Sequence, residues 1–501
     1  MALEVDLPEL DNRFLGHAQI THHNLFLFPA DEEITGGDLL ELIDYHRLHI
    51  RKKYLRDRNY YEGNHFILHK QRKALYKPDN RLVINFPKKA VTTFNGFFDG
   101  TPIKVDHPNK SVDAAIETWE NVNNFEDTMS EVSKASSIYG RAFFYVYQDE
   151  TGQPCVVDVD PLNTFLIYDD TFAEHVRYGV HYGLNSDGYT TVTLIDQQYE
   201  RHFIVDGSSN NYMDQTSAVI NPYPIVPIIE APENKERMAM CADIYSIFDE
   251  LDKAMSEKAN DVDYFADAYL KIINAYMSDD ESKEFSESLR DNRLVVVNGS
   301  DNEDAEVDFM AKPNADTTQE NLIDRLVDYI YQIASVTNMN DEAFSGNPSG
   351  VTLRLKYQPM KDMAGTKAQK FKRALRDVFQ CVLSTLRGTS VDAWPDLTFK
   401  FTQSIPQNLL EEGQTLSYLW GRVSKRTALA QMSFVEDPDK ELELIKQEQA
   451  EDQQTSVAMV QAVLAQTDQQ KGGVVDGTDS QTTAGTNSGT NQPGRPNGQA
   501  N

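Results

Sequence analysis

Apolar positions along the chain follow two periods. From Gly37, the spacing of Leu39, Leu40 and Ile43, with Tyr54 beyond, predicts a helix to about Arg58. Ala90, Phe94, Phe97 and Phe98 repeat at helical spacing, and Asp99-Gly100-Thr101-Pro102 ends them. Val112–Trp119 and Met129–Ile138 predict two further helices. From Ala142 to Ile229 the period falls to two. AFFYVYQDETGQPCVVDV, TFLIYDD, RYGVHYGL, YTTVTLID and ERHFIVDG are strand-like runs separated by Gly, Asn and Asp. The prolines of PYPIVPIIEAP deny a central strand and predict an extended crossover. Residues 37–236 therefore form an expected α+β unit, preceded by an arm, 1–36, that shows no sustained period and is expected to be irregular.

The second half is helix-rich. Ile244, Phe248, Leu251, Met255 and Val262 predict one long helix reaching Ala268. A small α/β insert follows, with a helix at Glu281–Leu289 and strands at Leu294–Val297 and Glu306–Met310. Thr317 or Thr318 caps a helix whose apolar face is Leu322, Leu326, Ile330 and Ile333. It runs into TNMNDEAFSGNPSG, a loop punctuated by Gly346, Pro348 and Gly350. Met360, Met363, Ala364, Phe371, Leu375, Val378, Val382 and Leu386 then mark an amphipathic helix to about Arg387. Pro359 near its start predicts a kink or a delayed start. DLTFKFTQSI alternates as a strand. Helices are expected at Leu409–Trp420, Thr427–Met432, from Asp439 to Gln449, and from Ser456 to Leu464. From Thr467 onward the Gly/Thr/Asn/Gln/Ser composition without aromatics predicts disorder.

Composition narrows the class. In 501 residues, 40% are hydrophobic and 25% charged, which excludes wholesale disorder and suggests roughly three domains. No uncharged apolar run approaches the ~18 residues of a spanning helix. MALEVDLPEL has neither a basic n-region nor an apolar h-region, so no secretory signal is expected. Cys155, Cys241 and Cys381 are odd in number and far apart. They suit a reducing compartment better than a disulfide framework or a CxxC metal site. The net charge of −31 argues, at first sight, against a partner made of phosphates.

Enzyme signatures are scarce. GxxxxGK[ST], a GxGxxG after a strand, HExxH and GxSxG are all missing. His65 and His69 are four apart, but turn and basic residues flank them, so a loop is favoured over a metal site. Asp261 and Asp263 on a helix point about 200° apart and cannot share an ion. Asp158 and Asp160, read on a strand, share a face and carry the competing reading, a metal-dependent nuclease or hydrolase. Charge is unevenly placed: Met238–Asp267 is net −6 and Arg354–Arg387 net +7. Solvated helix faces are the default account of such runs. A polyanion conduit or subunit contacts are the alternative.

Several stretches resemble the portal proteins of tailed bacteriophages, in the siphophage-type branch of phages infecting Gram-positive bacteria. YYEGNHFILHK followed by NRLVINFPKKAVTTFNGFFDGTPIKV is similar to the N-terminal wing segment, and SSIYGRAFFYVYQDETG with DPLNTFLIYDD to the wing sheet. PYPIVPIIEAPENKERM leading to IFDELDKAMSEKANDVDYFADAYLKI resembles the entrance to the stem helix. QIASVTNMNDEAFSGNPSGVTLRLKYQPM resembles the helix–loop–helix whose loop lines the axial channel. The likeness is collinear from Leu39 to Glu448.

The resemblance implies an α+β portal fold. Its parts would be a wing (37–236 with 350–403), a stem (237–268 and 317–337), a clip (269–316), a tunnel loop (338–349), a crown (404–466) and a tail (467–501). It implies a homododecameric ring at one capsid vertex of the virion, assembled in the host cytoplasm, through which double-stranded DNA is packaged and ejected. Implied partners are the terminase large subunit, the head–tail connector or adaptor, and the major capsid and scaffolding proteins. Neither a cofactor, a metal, a membrane nor catalysis is implied. On this reading Asn340, Asp341, Ser345, Gly346, Asn347, Ser349 and Gly350 of the loop, with Arg354 and Lys356 beyond, would touch DNA loosely. Asp249, Glu250, Glu257 and Asp261 of the stem would face the channel and repel phosphate. An acidic chain then fits DNA as something that slides rather than something that is gripped.

Overall fold

Three short strands open the computed structural model, which describes residues 13–73, 78–206, 212–265, 270–273, 280, 283, 306–309, 316–338, 350–403, 409–432, 435 and 438–470. They are β1 (Arg13–Leu15), β2 (Ala18–Ile20) and β3 (Phe26–Phe28). The irregular arm expected here is corrected to this extent: β3 pairs in parallel with β7 (Thr164–Asp169), Phe26 opposite Ile167. Three-residue strands are too short to show a period, and their pairing is fixed by a partner far along the chain. β7 continues antiparallel into β8 (Val176–Leu184), β9 (Thr190–Ile195), β10 (Tyr199–Asp206) and β11 (Tyr212–Ile220). The eight-stranded sheet has the order β1-β2-β3-β7-β8-β9-β10-β11.

A second sheet places β5 (Arg141–Gln148) between β6 (Pro154–Val159) and β12 (Ile228–Pro232). The proline-bordered segment read as a crossover is thus an edge strand, a position that tolerates missing donors. β4 (Lys104–Asp106) pairs with β15 (Thr398–Lys400), and β13 (Leu270–Ile273) with β14 (Glu306–Phe309). The predicted helix 281–289 falls almost wholly, and the predicted strand 294–297 wholly, outside the described residues.

Helix ends follow local chemistry. Thr35 and Asp38 form a capping box for α1 (Gly36–Tyr45), which passes through a π-helical turn, 46–50, into α2 (Arg51–Glu62). Asn85 caps α3 (Phe86–Phe98). Asn124, left-handed at φ +48, divides α4 (Lys110–Asn123) from α5 (Phe125–Tyr139). At Gly140 (φ +87) a Cβ would stand 2.4 Å from the Arg237 carbonyl oxygen, so only glycine fits. The long helices are α6 (Tyr245–Phe265), α7 (Asp316–Ile333) and α8 (Gly350–Thr385). Pro359 does not delay the start of α8. It and Leu355 are exposed, so water can meet the carbonyl that Pro359 leaves without a donor.

The main core lies where α3, α5 and α8 close on β5. Phe371 meets Phe98 and Phe144 edge-on, and Phe379 meets Phe125 and Trp119 in the same way. Residues from Gln407 onward form a separate unit containing α9 (Leu409–Leu419), α10 (Lys425–Leu429) and α11 (Pro438–Gln470). There Arg426 grips Asp439 through two bonds of 2.7 and 2.8 Å. α11 is one helix where the sequence predicts two. The predicted disorder falls mainly on 471–501, outside the described residues. No helix among the described residues is long and apolar enough to cross a membrane.

Candidate functional site

The acidic helix α6 is seated against the α+β unit by its side chains. The extended residues 80–84 run along it, and alternate backbone N–H groups meet every fourth helix residue. Ile84 donates to Asp252 Oδ1 (2.8 Å), Leu82 to Ser256 Oγ (2.9 Å) and Asn80 to Asn260 Oδ1 (2.7 Å). Two residues of extended chain advance about 6.6 Å and four of helix about 6.0 Å, so three rungs fit in one register. Asn80 adds a side-chain bond to Asp263 (2.5 Å).

His65 closes this ladder at one end. Its Nδ1 lies 2.5 Å from Asp252 Oδ2 and its Nε2 3.1 Å from the Tyr60 carbonyl, with both side chains buried. The imidazole thus faces an oxygen acceptor at each of its two nitrogens. His69 bonds Asn64 instead, at 2.7 Å, so the two histidines share no site. A reciprocal pair reinforces the seat: Tyr60 on α2 donates to Asp249 on α6, and Tyr245 on α6 donates to Asp57 on α2, each at 2.9 Å. The two rings stack at 4.3 Å. Burial pushes the Asp57 carboxyl above its usual range, against the pull of Arg56.

The four candidate stem acids therefore occupy distinct settings. Asp249 accepts from Tyr60, Glu250 pairs with Lys253 at 3.1 Å, exposed Glu257 pairs with Lys73 at 3.0 Å, and Asp261 is half-buried. Lys258 and Glu320 tie α6 to α7.

Candidate loop residues Asn340, Asp341, Ser345, Gly346, Asn347 and Ser349 lie outside the described residues. Gly350 begins α8. The Arg354 side chain lies outside the described set, and Lys356 is half-buried. The ends flanking 339–349 are joined. Thr337 donates its hydroxyl to the Lys356 carbonyl (3.1 Å), and its N–H reaches Met360 Sδ (3.5 Å).

α8 is anchored in turn by a buried cation. Lys367 Nζ bonds Glu233 Oε2 (2.8 Å), the Ser133 carbonyl (2.8 Å) and Ser137 Oγ (2.7 Å), beneath the rings of Phe94 and Phe98. Lys367 therefore leaves the set of basic residues available to phosphate. Arg141 and Arg237 converge on Glu230, where Arg237 donates twice at 2.8 Å and Tyr168 once at 2.7 Å. Burial alone would raise the Glu230 pKa, but the two guanidiniums outweigh it and hold it at about 2.

The strand carboxylates separate. Asp158 is exposed on β6, whereas Asp160 lies past the strand end and accepts the Leu162 N–H at 2.8 Å in a turn. Among the described residues, no group of three His, Cys, Asp or Glu side chains is placed to hold a metal ion.

The portal protein of Bacillus phage SPP1 is 26% identical over 396 residues, covering 74% of this chain and 76% of that protein. Residues 40–455 match the family described as phage portal protein, SPP1 Gp6-like. That span takes in β4 to β15, the seated helix α6, and α7 and α8, and the chain belongs to the phage portal protein family.

Proposed function

We propose that the chain assembles as a homododecameric, non-enzymatic ring at one capsid vertex, through which double-stranded DNA is packaged and later ejected. The observation that carries this is the α6–α7–loop–α8 arrangement. One helix is welded to the wing by three ladder rungs, and the loop's flanks are pinned at Thr337 and Lys356. A loop held at both ends can change shape without loosening its scaffold. In this reading 37–236 with 350–403 is the wing, α6 and α7 the stem, 269–316 the clip that docks the terminase large subunit, and 404–466 the crown. The connector would join the same ring after packaging, and the ring would nucleate assembly of capsid and scaffolding proteins.

Ion pairing of Glu250 with Lys253 and of Glu257 with Lys73, and the hydrogen bond that Tyr60 gives Asp249, support a wall of engaged acids rather than a row of bare carboxylates. Such a wall gives DNA few fixed phosphate contacts, which suits sliding. Leu322, Tyr329 and Ile333 lie exposed along one face of α7, a stripe suited to burial against the next subunit. Negative-stain imaging and native mass spectrometry of the purified chain test the ring. A twelve-fold annulus is expected, and a monodisperse monomer would overturn the proposal. Gly346→Pro tests the loop: rings form but packaging falls, and packaging at the wild-type rate would count against a shape-changing loop.

A further inference from the structure

The rod formed by α1, the π-helical turn and α2 carries opposite charge on its two halves. Residues 31–45 hold Asp31, Glu32, Glu33, Asp38, Glu41 and Asp44 and neither Lys nor Arg. Residues 46–58 hold Arg47, Arg51, Lys52, Lys53, Arg56 and Arg58 against Asp57 alone. Part of this charge is settled inside the subunit. Asp44 pairs with Arg47 at 2.6 Å, Asp57 with Arg56 at 3.1 Å and Glu62 with Arg58 at 3.7 Å. Glu32 pairs with His17 at 2.9 Å, and Asp38 serves the cap of α1. Exposed Asp31, Glu33 and Glu41 remain at one end, and exposed Lys52 with half-buried Arg51 and Lys53 further along. None of these six makes an ion pair among the described residues. Glu41 and Lys52 are eleven residues apart, about 16 Å of helix. Salt screens exposed charge over about 8 Å, so the two sets do not neutralise each other within one subunit.

We propose that the stretch Leu48–Lys53 of one subunit docks the acidic end of a second copy of this chain, formed by Phe14, Asp31, Glu33 and Glu41. Each side has an exposed apolar side chain beside its charges. Leu48, 50% exposed, follows Arg47 and precedes Arg51. Phe14, 76% exposed, lies two residues before Gly16, where an added Cβ would stand 3.1 Å from Glu41 Oε2. The His17–Glu32 pair draws the 31–33 turn to the same place. Apolar burial inside matched charges is the arrangement that gives an interface both affinity and register. DNA fits the cations less well, because a phosphate backbone offers Leu48 nothing and the chain itself carries the matching acids. The two patches occupy different points along one rod. A copy docked on the cations therefore keeps its own cations free for the next copy, and such a head-to-tail contact builds rings. The inference rests on the ring reading and names surfaces that meet in it.

The test uses the full chain and native mass spectrometry. Arg51→Glu with Lys52→Glu makes both patches acidic, and Glu33→Lys with Glu41→Lys makes both basic. Either double variant should lower the ring yield roughly tenfold or more, because like charges then meet at every junction. Mixed in equal amounts, the two proteins should form rings again with alternating subunits, since each junction then joins opposite charges. A protein that merely misfolds is not rescued in this way. Undiminished ring yield in either variant would overturn the docking and leave the ring reading in place, whereas a monomeric wild type would overturn both. Failure of the mixture to assemble, or closed dimers in place of rings, would also overturn the head-to-tail contact. If the Arg51→Glu, Lys52→Glu protein kept its rings but no longer bound a short DNA duplex that the wild type binds, the cations would belong to DNA instead.

Discussion

Lys367 Nζ lies 2.8 Å from Glu233 Oε2, with both side chains buried, at the point where α8 crosses α3, α5 and the exit from β12. All three ammonium protons are used, on Glu233, the Ser133 carbonyl and Ser137. Burial lowers the Lys367 pKa, and Glu233 opposes that fall. The expected result of Lys367→Met is a loss of about 3–5 kcal/mol, because Glu233 would remain as a buried, unpaired carboxylate. Lys367→Met with Glu233→Leu should recover much of that loss, since the stranded charge is gone. Thermal melts of the three proteins check this; a single variant as stable as the wild type would refute the buried-pair account.

Acid sensitivity follows from two groups with separate pH windows. Burial, with help from Arg141 and Arg51, holds His46 down at about 3 rather than 6.5, so the folded chain keeps it neutral. Below pH 6.5 the unfolded chain takes a proton that the folded chain refuses, and stability falls down to about pH 3. Glu230 is held at about 2 rather than 4.5, so its contribution is present above pH 4.5 and is lost as pH falls toward 2. Its full value is about 3 kcal/mol at ~1.4 kcal/mol per pH unit. His46→Gln should flatten the stability profile between pH 6.5 and 4.5, and Glu230→Gln should flatten it only below 4.5. Denaturant midpoints measured across that range separate the two, and an interchange of the windows would show the assignments to be wrong.

Gly140 ends α5 in left-handed backbone with the Arg237 carbonyl where a Cβ would go. Arg237 itself is left-handed at φ +56 and is held by its two bonds to Glu230, so it cannot move aside without breaking them. Gly140→Ala should therefore cost more than the roughly 1–2 kcal/mol of left-handed strain alone. Gly152→Ala provides the comparison: its φ is +76 but nothing lies within 4 Å of the added carbon, so strain is its whole cost. Equal midpoint shifts for the two variants would exclude the steric component.

Long-period features were legible in the sequence, and the contacts that join them were not. The helices 86–98, 110–123, 125–139 and 350–385 and the strand-rich block follow from apolar spacing. Lys367 was legible in principle. Met360, Ala364, Lys367, Phe371 and Leu375 run at steps of four, three, four and four, so the lysine occupies a core position of the stripe, although it is also part of the +7 of Arg354–Arg387. His65 gave a misleading local signal through His69, since its partner Asp252 is 187 residues away. Leu82-Val83-Ile84 is a short apolar run that shows no partner in its own neighbourhood. It bonds instead to helix side chains, and no local period encodes that arrangement.

The ladder makes a prediction resolved rung by rung. Asn260 serves the Asn80 amide, Ser256 the Leu82 amide and Asp252 the Ile84 amide, and each acceptor is reached by one donor of the extended segment. Asn260→Ala removes one neutral bond of about 1 kcal/mol, so the Asn80 amide should exchange about fivefold faster with Ile84 unchanged. Asp252→Asn behaves differently, because Asp252 also carries the bond to His65 inside a buried pocket. An amide in its place weakens that bond as well as the Ile84 rung, so exchange should rise at Ile84 and at the backbone around His65 together. Hydrogen exchange with residue-level fragmentation reads both variants. Uniform acceleration across 80–84 in Asn260→Ala would mean that the segment is held as a block, not by independent rungs matched to the helix repeat.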